Sequence, residues 1–315
     1  SNRLGIQKTE LTFDFSDVMR RVRRNIKKKE PHDSVERYTK LGVTCLQGSA
    51  RVVSPWTVSY EGSSGKQEIS ARSIIIAAGA RPIVPHLPNL SEVEYATSDT
   101  IWELNKLPNN LIVIGGGAIG SELAQAFQRL GSKVILIESA NRILMKEDTE
   151  VAETISNQLS DEGVAILTRH RAKGFIKEKN IQTLVCDSPN GEVKLNFDRV
   201  LFAIGRRANI QGYGLEDIEA ISTQDIVLPT NEFLETRFPN IYACGDVTGR
   251  MQFTHAAAHQ AWYAAVNALF GQLKKFTVDF SCVPWATFTH PQVARIGLNE
   301  DCLLYTSPSP RDCRL

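Results

Sequence analysis

Three glycines, Gly115, Gly117 and Gly120, follow directly on the apolar run Leu111–Ile114, and an acid, Glu138, closes the next apolar run, Lys133–Ile137. Between them Ser121–Leu130 has helical spacing, with Leu123, Ala126, Phe127 and Leu130 expected on one face. A strand, a G-x-G-x-x-G turn, a helix and a second strand ending on an acid together form the pattern of a dinucleotide-binding βαβ unit. Each residue type has a physical task there. Gly115 permits the tight turn, Gly117 lets the backbone approach a pyrophosphate, and Gly120 lets helix and strand pack closely. The helix start adds free N–H groups and the positive end of its dipole. The sequence therefore predicts a nicotinamide dinucleotide site. Glu138 bears on which one: a carboxylate there accepts hydrogen bonds from both ribose hydroxyls and repels a 2′-phosphate, favouring NAD(H) over NADP(H). Arg142 lies close enough in sequence to soften that preference, or serves as a surface cation after the strand.

Other reactive side chains are less organised. Cys45, Cys186, Cys244, Cys282, Cys302 and Cys313 show neither C-x-x-C nor C-x4-C spacing. They read as core thiols of a protein in a reducing cytoplasm, without a zinc site or a redox pair. His255 and His259 stand i, i+4 on a helix, a spacing that can bind zinc, but no third ligand accompanies them, so no metal is expected.

The elements that must position these residues follow from periodicity and punctuation. Ser16–Ile26 reads as a helix capped by Ser16, with Val18, Val22 and Ile26 along one face. Its other faces carry Arg20, Arg21, Arg23, Arg24 and Lys27–Lys29; in a chain of net charge +1 this run reads as a solvated face rather than a nucleic-acid footprint. Val43–Leu46, Ala50–Val53, Trp56–Tyr60 and Glu68–Ala71 read as a small antiparallel meander leading to a buried strand, Ser73–Ala77. After the βαβ unit come a helix at Val151–Leu159, a strand at Val164–Thr168 and a hairpin turning at Ser188–Gly191. Strands at Arg199–Ile204 and Asn240–Ala243 and a long helix at Thr254–Leu269 complete the pattern. Strands ending in glycine turns and followed by helices indicate α/β architecture. No run approaches membrane-spanning length.

Four motifs, AAGARP (77–82), GGGAIG (115–120), AIGRRAN (203–209) and YACGD (242–246), stand in the order and spacing of the FAD-dependent pyridine nucleotide–disulfide oxidoreductases. The chain resembles the branch of that family that holds mercuric reductase and dihydrolipoamide dehydrogenase, with FDFSDVMRRVR (13–23), PHDSVERY (31–38) and FTHPQVARIG (288–297) as supporting runs. The resemblance implies two Rossmann-like nucleotide-binding domains, for FAD and NAD(P), with the NAD domain inserted in the FAD domain. It implies hydride transfer from NAD(P)H to FAD and on to a disulfide or a thiol-bound metal such as Hg(II), by a homodimer. Carried over by residue, Ala78, Gly79, Gly245 and Asp246 would meet FAD, with Asp246 on the ribityl chain. Phe253, Thr254 and His255 would open a helix pointing at the flavin. Gly115, Gly117, Ala118, Ile119 and Gly120 would hold NAD, with Glu138 at the ribose and Gly205 toward the nicotinamide. Glu122 resembles the family glutamate that supports the flavin through a lysine; read by itself it is a first-turn acid favouring the helix dipole.

The family's C-x4-C pair and its first glycine loop have no counterpart in the chain, and no catalytic residue of the onward electron path is expected in it. His290 resembles a turn residue of the motif that opens the interface domain. By the resemblance, residues 1–95 are the later part of the FAD domain and 96–215 the NAD(P) domain. Residues 216–275 are the returning FAD segment, and 276–301 the start of the interface domain. Residues 302–315 are expected to be non-native, because CLLYTSPSPRD back-translates onto a sequencing-library adapter. A flavin-dependent NADH oxidase without a cysteine pair, or an inert NAD-binding fragment, is the alternative reading.

Overall fold

The computed structural model describes residues 12–63, 65–299 and 302; the expectations for residues 1–11 and 303–315 lie outside the described residues. The chain begins with helices α1 (Phe15–Lys29) and α2 (Val35–Lys40). Strands β1 (Gly48–Ser54), β2 (Thr57–Gly62), β3 (Gly65–Ser70), β4 (Ile74–Ile76), β5 (Ala80–Pro82) and β6 (Tyr95–Thr97) follow. Next come β7 (Asn110–Ile114), α3 (Ala118–Arg129), β8 (Lys133–Glu138), α4 (Thr149–Asp161) and β9 (Ala165–Thr168). β10 (Arg171–Glu178), β11 (Ile181–Ser188), β12 (Gly191–Phe197), β13 (Arg199–Phe202), β14 (Arg206–Ala208) and β15 (Ile241–Ala243) lead to α5 (Thr254–Phe270), β16 (Trp285–Thr287) and β17 (Val293–Arg295). The architecture is α/β, in two compact units: one takes in the described residues up to 45 with 84–144 and 156–203, the other 46–83, 145–155 and 204 onward.

The first unit is built on a five-stranded parallel sheet in the order β6-β13-β7-β8-β9. Its central strand β7 is the run Leu111–Ile114, whose side chains are buried on both faces, as parallel strands covered on both sides require. One cover is the antiparallel meander β10-β11-β12. Phe175, Leu184 and Phe197 from it share a core with Ile112, Ile114, Ile137 and Phe202, and Phe175 meets both other rings edge-on. Helix α3 packs on β7 and β8 through Leu123, Ala124 and Phe127. Ala126, expected on that face, is exposed, because the buried stripe runs 120, 123, 124, 127 and leaves position 126 on the far side.

Helix α1 starts one residue earlier than Ser16, and its cap is Asp14, whose Oδ1 accepts from Ser16 N at 2.7 Å. The stripe it buries is Phe15 and Met19, with Phe15 against Phe127 at 6.1 Å, while Ile26 at the expected apolar position is exposed. The basic side chains of α1 all face solvent. Val43–Leu46, expected as a strand, is irregular and pairs with no strand among the described residues; Val43 and Leu46 are exposed.

In the second unit β1, β2 and β3 form the antiparallel meander. β4 and β15 pair in parallel, Ile74 with Ile241 and Ile76 with Ala243, and these four side chains join Leu228 and Val247 in one core. β5 and β14 pair antiparallel, which joins AAGARP directly to AIGRRAN. Neither three-residue strand was expected from the sequence.

Within the first unit α3 is tied down by Glu162, just beyond α4. Arg129 grips its carboxylate with Nε at 2.7 Å and Nη2 at 2.6 Å, and Gln125 and Gln158 donate at 3.0 and 2.9 Å. The Arg129 guanidinium chiefly holds the Glu162 carboxyl below the usual carboxylate range. A lowered folded-state pKa adds stability that is fully present above the unfolded value of about 4.3 and is lost as pH falls through the folded one. Since Arg129 is half exposed, the pair contributes about 1 kcal/mol or less. Glu162→Ala is thus expected to lower thermal stability modestly at pH 7 and by progressively less as pH falls below the usual carboxylate range, a trend that calorimetry across that range checks.

Candidate functional site

The glycine loop sits where β7 ends and α3 begins. Gly115 adopts φ +109°, a conformation open to glycine and costly for other residues, and its N–H donates to Ile137 O at 2.8 Å, so the turn is locked to β8. A Cβ on Gly120 would overlap the carbonyl oxygen of Gly115, which is why helix and strand approach so closely here. Gly117 is the residue before α3; no side chain caps the helix there, and a Cβ on Gly117 would meet nothing within 4 Å. Uncapped N–H groups at a helix start facing open space suit a pyrophosphate.

Helix α3 starts at Ala118, three residues before its expected start at Ser121, because the chain enters helical geometry as soon as the glycine turn is complete. Glu122 is therefore in the second turn, not the first, and the first turn holds no acid. Its dipole role weakens accordingly, since that field falls off within the first turn. Ala118, half-buried, and Ile119, exposed, open the first turn of the helix beside Gly117.

Glu138 ends β8. The register Ile114↔Ile137 places it one step beyond the last paired residue, level with the loop after β7. Its Oε2 accepts from Gly116 N at 2.7 Å, and its Oε1 accepts from Ala140 N at 2.7 Å and Ser139 Oγ at 3.1 Å. Arg142 Nη1 donates to Leu144 O at 3.0 Å.

The second unit holds the other candidate residues. AAGARP turns at Ala78 and Gly79 after β4, and AIGRRAN holds that turn. Asn209 Nδ2 donates to Ala78 O at 2.9 Å, Asn209 N to Gly79 O at 3.0 Å, and Arg206 Nη2 to Ala80 O at 2.7 Å. Gly205 belongs to this unit, where its carbonyl accepts from Ile83 N at 3.0 Å. After β15 the chain makes a single 3-10 turn, Gly245–Thr248, that carries Asp246. The Asp246 carboxylate is partly open, with Arg206 Nε 3.7 Å from its Oδ2.

That turn is fixed by a residue without any local sequence signature. Gln260, fully buried in α5, accepts from Gly245 N at 3.0 Å and Thr248 Oγ1 at 3.1 Å through the same Oε1. Its Nε2 is buried and has no hydrogen-bond partner among the described residues. Phe253 is the N-cap position of α5, Thr254 its first residue, and no side chain caps this end either. Gln252, just before it, reaches Asp246 O at 3.5 Å. An open carboxylate beside an uncapped helix start offers acceptors for hydroxyls and a positive end for an electron-rich ring, a donor set that fits the ribityl chain and ring of a flavin.

His255 and His259 point to separate carbonyls, His255 Nε2 to Pro284 O and His259 Nε2 to Asp279 O, so the pair does not converge. His290 lies in the connection between β16 and β17. Of the described cysteines only Cys186 and Cys244 are core thiols; Cys45 is half-buried, and Cys282 and Cys302 are exposed, Cys282 lying in an irregular surface segment. Burial pushes the Cys186 thiol up to about 11 and raises Cys244 as well. No helix among the described residues is long and apolar enough to cross a membrane.

A parallel sheet with a glycine loop at its carboxyl edge in one unit, and strand ends meeting Asp246 in the other, define an α/β protein of the dinucleotide-binding kind. The chain belongs to the pyridine nucleotide-disulphide oxidoreductase family, whose profile matches residues 8–261. It is 35% identical over 269 residues to mercuric reductase of Staphylococcus aureus, covering 85% of this chain and 47% of that one. It is 36% identical over 258 residues to dihydrolipoyl dehydrogenase of Chlamydia pneumoniae, covering 82% and 54%. The chain thus spans about half the length of these curated relatives. In structure it resembles the HOCl-induced flavoprotein disulfide reductase RclA from Escherichia coli, with a TM-score of 0.80 and 26% identity over 94% of this chain and 67% of that one.

Truncating Gln260 to alanine orphans the Gly245 N–H, leaves the Thr248 hydroxyl with Gly245 O alone as acceptor at 2.9 Å, and opens a cavity, at a cost of about 2–4 kcal/mol. Denaturant unfolding of the Gln260→Ala chain is expected to show that loss; a change under about 0.5 kcal/mol would mean the turn carrying Asp246 is held by other contacts.

Proposed function

We propose that this chain is the nucleotide-binding part of an NADH-dependent flavoenzyme that reduces a disulfide or a thiol-bound metal such as Hg(II). The observation that carries the proposal is the open, uncapped start of α3 beside Gly117, with a carboxylate at the end of the adjacent strand. Residues 96–215 are assigned to the NAD domain, 1–95 and 216–275 to the FAD domain, and 276–301 to the start of an interface domain through which the whole protein forms a cytoplasmic homodimer. The similarity to mercuric reductase and dihydrolipoyl dehydrogenase supports this choice of reaction class.

In this reading Gly115, Gly117, Ala118, Ile119 and Gly120 hold the pyrophosphate by backbone N–H groups, Glu138 receives the adenosine ribose, and Gly205 lies toward the nicotinamide. Ala78, Gly79 and Gly245 give the backbone close approach to FAD. Asp246 accepts a hydrogen bond from the ribityl chain. Phe253, Thr254 and His255 set the helix start against the ring, where the α5 dipole favours negative charge. FAD, when bound, supplies a two-electron relay between a reduced nicotinamide and the acceptor. By the family resemblance Glu122 is assigned a supporting role for the flavin through a lysine. The buried, hard-to-ionise thiols Cys186 and Cys244 are unsuited to nucleophilic attack on an acceptor. For the 315 residues as they stand, nucleotide binding without turnover is therefore proposed.

The negative charge of Glu138 disfavours a 2′-phosphate. Calorimetric titration of the 315-residue chain is expected to give NADH an affinity roughly tenfold or more above that of NADPH. Equal affinities would remove Glu138 as the selector, and no binding of either would remove the nucleotide site itself.

A further inference from the structure

We propose that Glu138 is a positioning residue for the glycine loop as well as a ribose acceptor, so that one carboxylate sets both the shape of the phosphate cradle and the choice of nucleotide. The proposal rests on reading Gly115–Gly120 as a nicotinamide dinucleotide site. A carboxylate offers about four acceptor directions, and protein donors occupy three of them here. Gly116 N is on Oε2 at 2.7 Å, and Ala140 N and Ser139 Oγ are on Oε1 at 2.7 and 3.1 Å. The direction left, on Oε2, serves a single ribose hydroxyl, where a free carboxylate would serve two.

Gly116 is held from its other side as well: its carbonyl accepts from Leu144 N at 2.7 Å. The residue is buried, and a Cβ on it would press on Ile143 and on the Glu138 side chain. Gly117 follows immediately and is exposed. The peptide that presents the start of α3 to a pyrophosphate is therefore clamped between Glu138 and Leu144. Hydrogen bonds to an ionised acceptor are roughly twice as strong as neutral ones. A neutral glutamine has one acceptor oxygen and would turn an amide N–H₂ toward either Gly116 N–H or Ala140 N–H. Neutralising Glu138, the substitution that removes repulsion of a 2′-phosphate, thereby also unfastens the cradle. NADPH does not then inherit the affinity that NADH loses.

The test separates the two roles with an NADH analogue that lacks both hydroxyls of the adenosine ribose. A carboxylate acting only on ribose is invisible to this analogue, so wild type and Glu138→Gln would bind it equally, and that result overturns the proposal. The brace predicts that Glu138→Gln weakens the analogue tenfold or more in calorimetric titration. Amide hydrogen exchange of the nucleotide-free full chain supplies a second readout that needs no variant. Slow exchange at Gly116 and Ala140 in wild type is expected, and exchange of Gly116 at the unprotected rate overturns the proposal even if the variant fails to fold. Failure of wild type to bind NADH would instead sink the nucleotide reading, leaving the exchange rate to judge the brace.

Discussion

Helix α3 lies against β7 at a distance that excludes a side chain at Gly120, whose Cα faces the carbonyl of Gly115 directly. That close approach aims the start of the helix at the loop where the parallel strands end. With a Cβ in the way, α3 would have to ride outward, and Leu123, Ala124 and Phe127 would leave the core they share with the sheet. Burial of a leucine or phenylalanine side chain is worth about 1.5–3 kcal/mol, so packing fixes where the helix begins, and polar contacts fix the peptide that leads into it. The position of the nucleotide cradle is in this sense a by-product of how tightly one helix is allowed to pack.

The second unit solves a similar problem by other means. Asp246 sits on a single helical turn, too short to hold itself, and is fixed by Gln260 from inside α5 and by Arg206 from β14. Arg206 also donates to Ala80 O, so AIGRRAN, AAGARP and YACGD, far apart in sequence, share one polar network. Both α3 and α5 begin without a side-chain cap. Leaving a helix start uncapped forgoes roughly 1 kcal/mol of stabilisation, which is sensible where a ligand can supply the missing acceptors.

Much of the fold was legible because its signals are periodic. The strands β7 and β8, the helix between them and the Ser188–Gly191 hairpin follow from apolar spacing and turn residues. What escaped lacks periodicity. The Ala80–Pro82 and Arg206–Ala208 strands are three residues long and rich in charge and proline, so nothing in them alternates. Val43–Leu46 has the composition of a strand but no neighbour to pair with, and composition does not report neighbours. Ser16 was a reasonable cap, but Asp14 two residues earlier reached the first free N–H. Within the candidate site the glycines and Glu138 were legible by spacing. The Gly116–Glu138 bond was not, because it joins residues 22 apart through the register of two parallel strands. Gln260 was hidden for the same reason: a glutamine in an alanine-rich helix has no local signature of the turn it holds.

In the function proposed, the open start of α3 receives the pyrophosphate of a nicotinamide dinucleotide. The most direct measurement is an NMR titration of the isotope-labelled chain with NADH, following backbone amides. The largest shifts are expected at Gly117, Ala118 and Ile119. Unchanged amides at these three positions while NADH binds would place the nucleotide elsewhere and rule out the α3 start as its phosphate site.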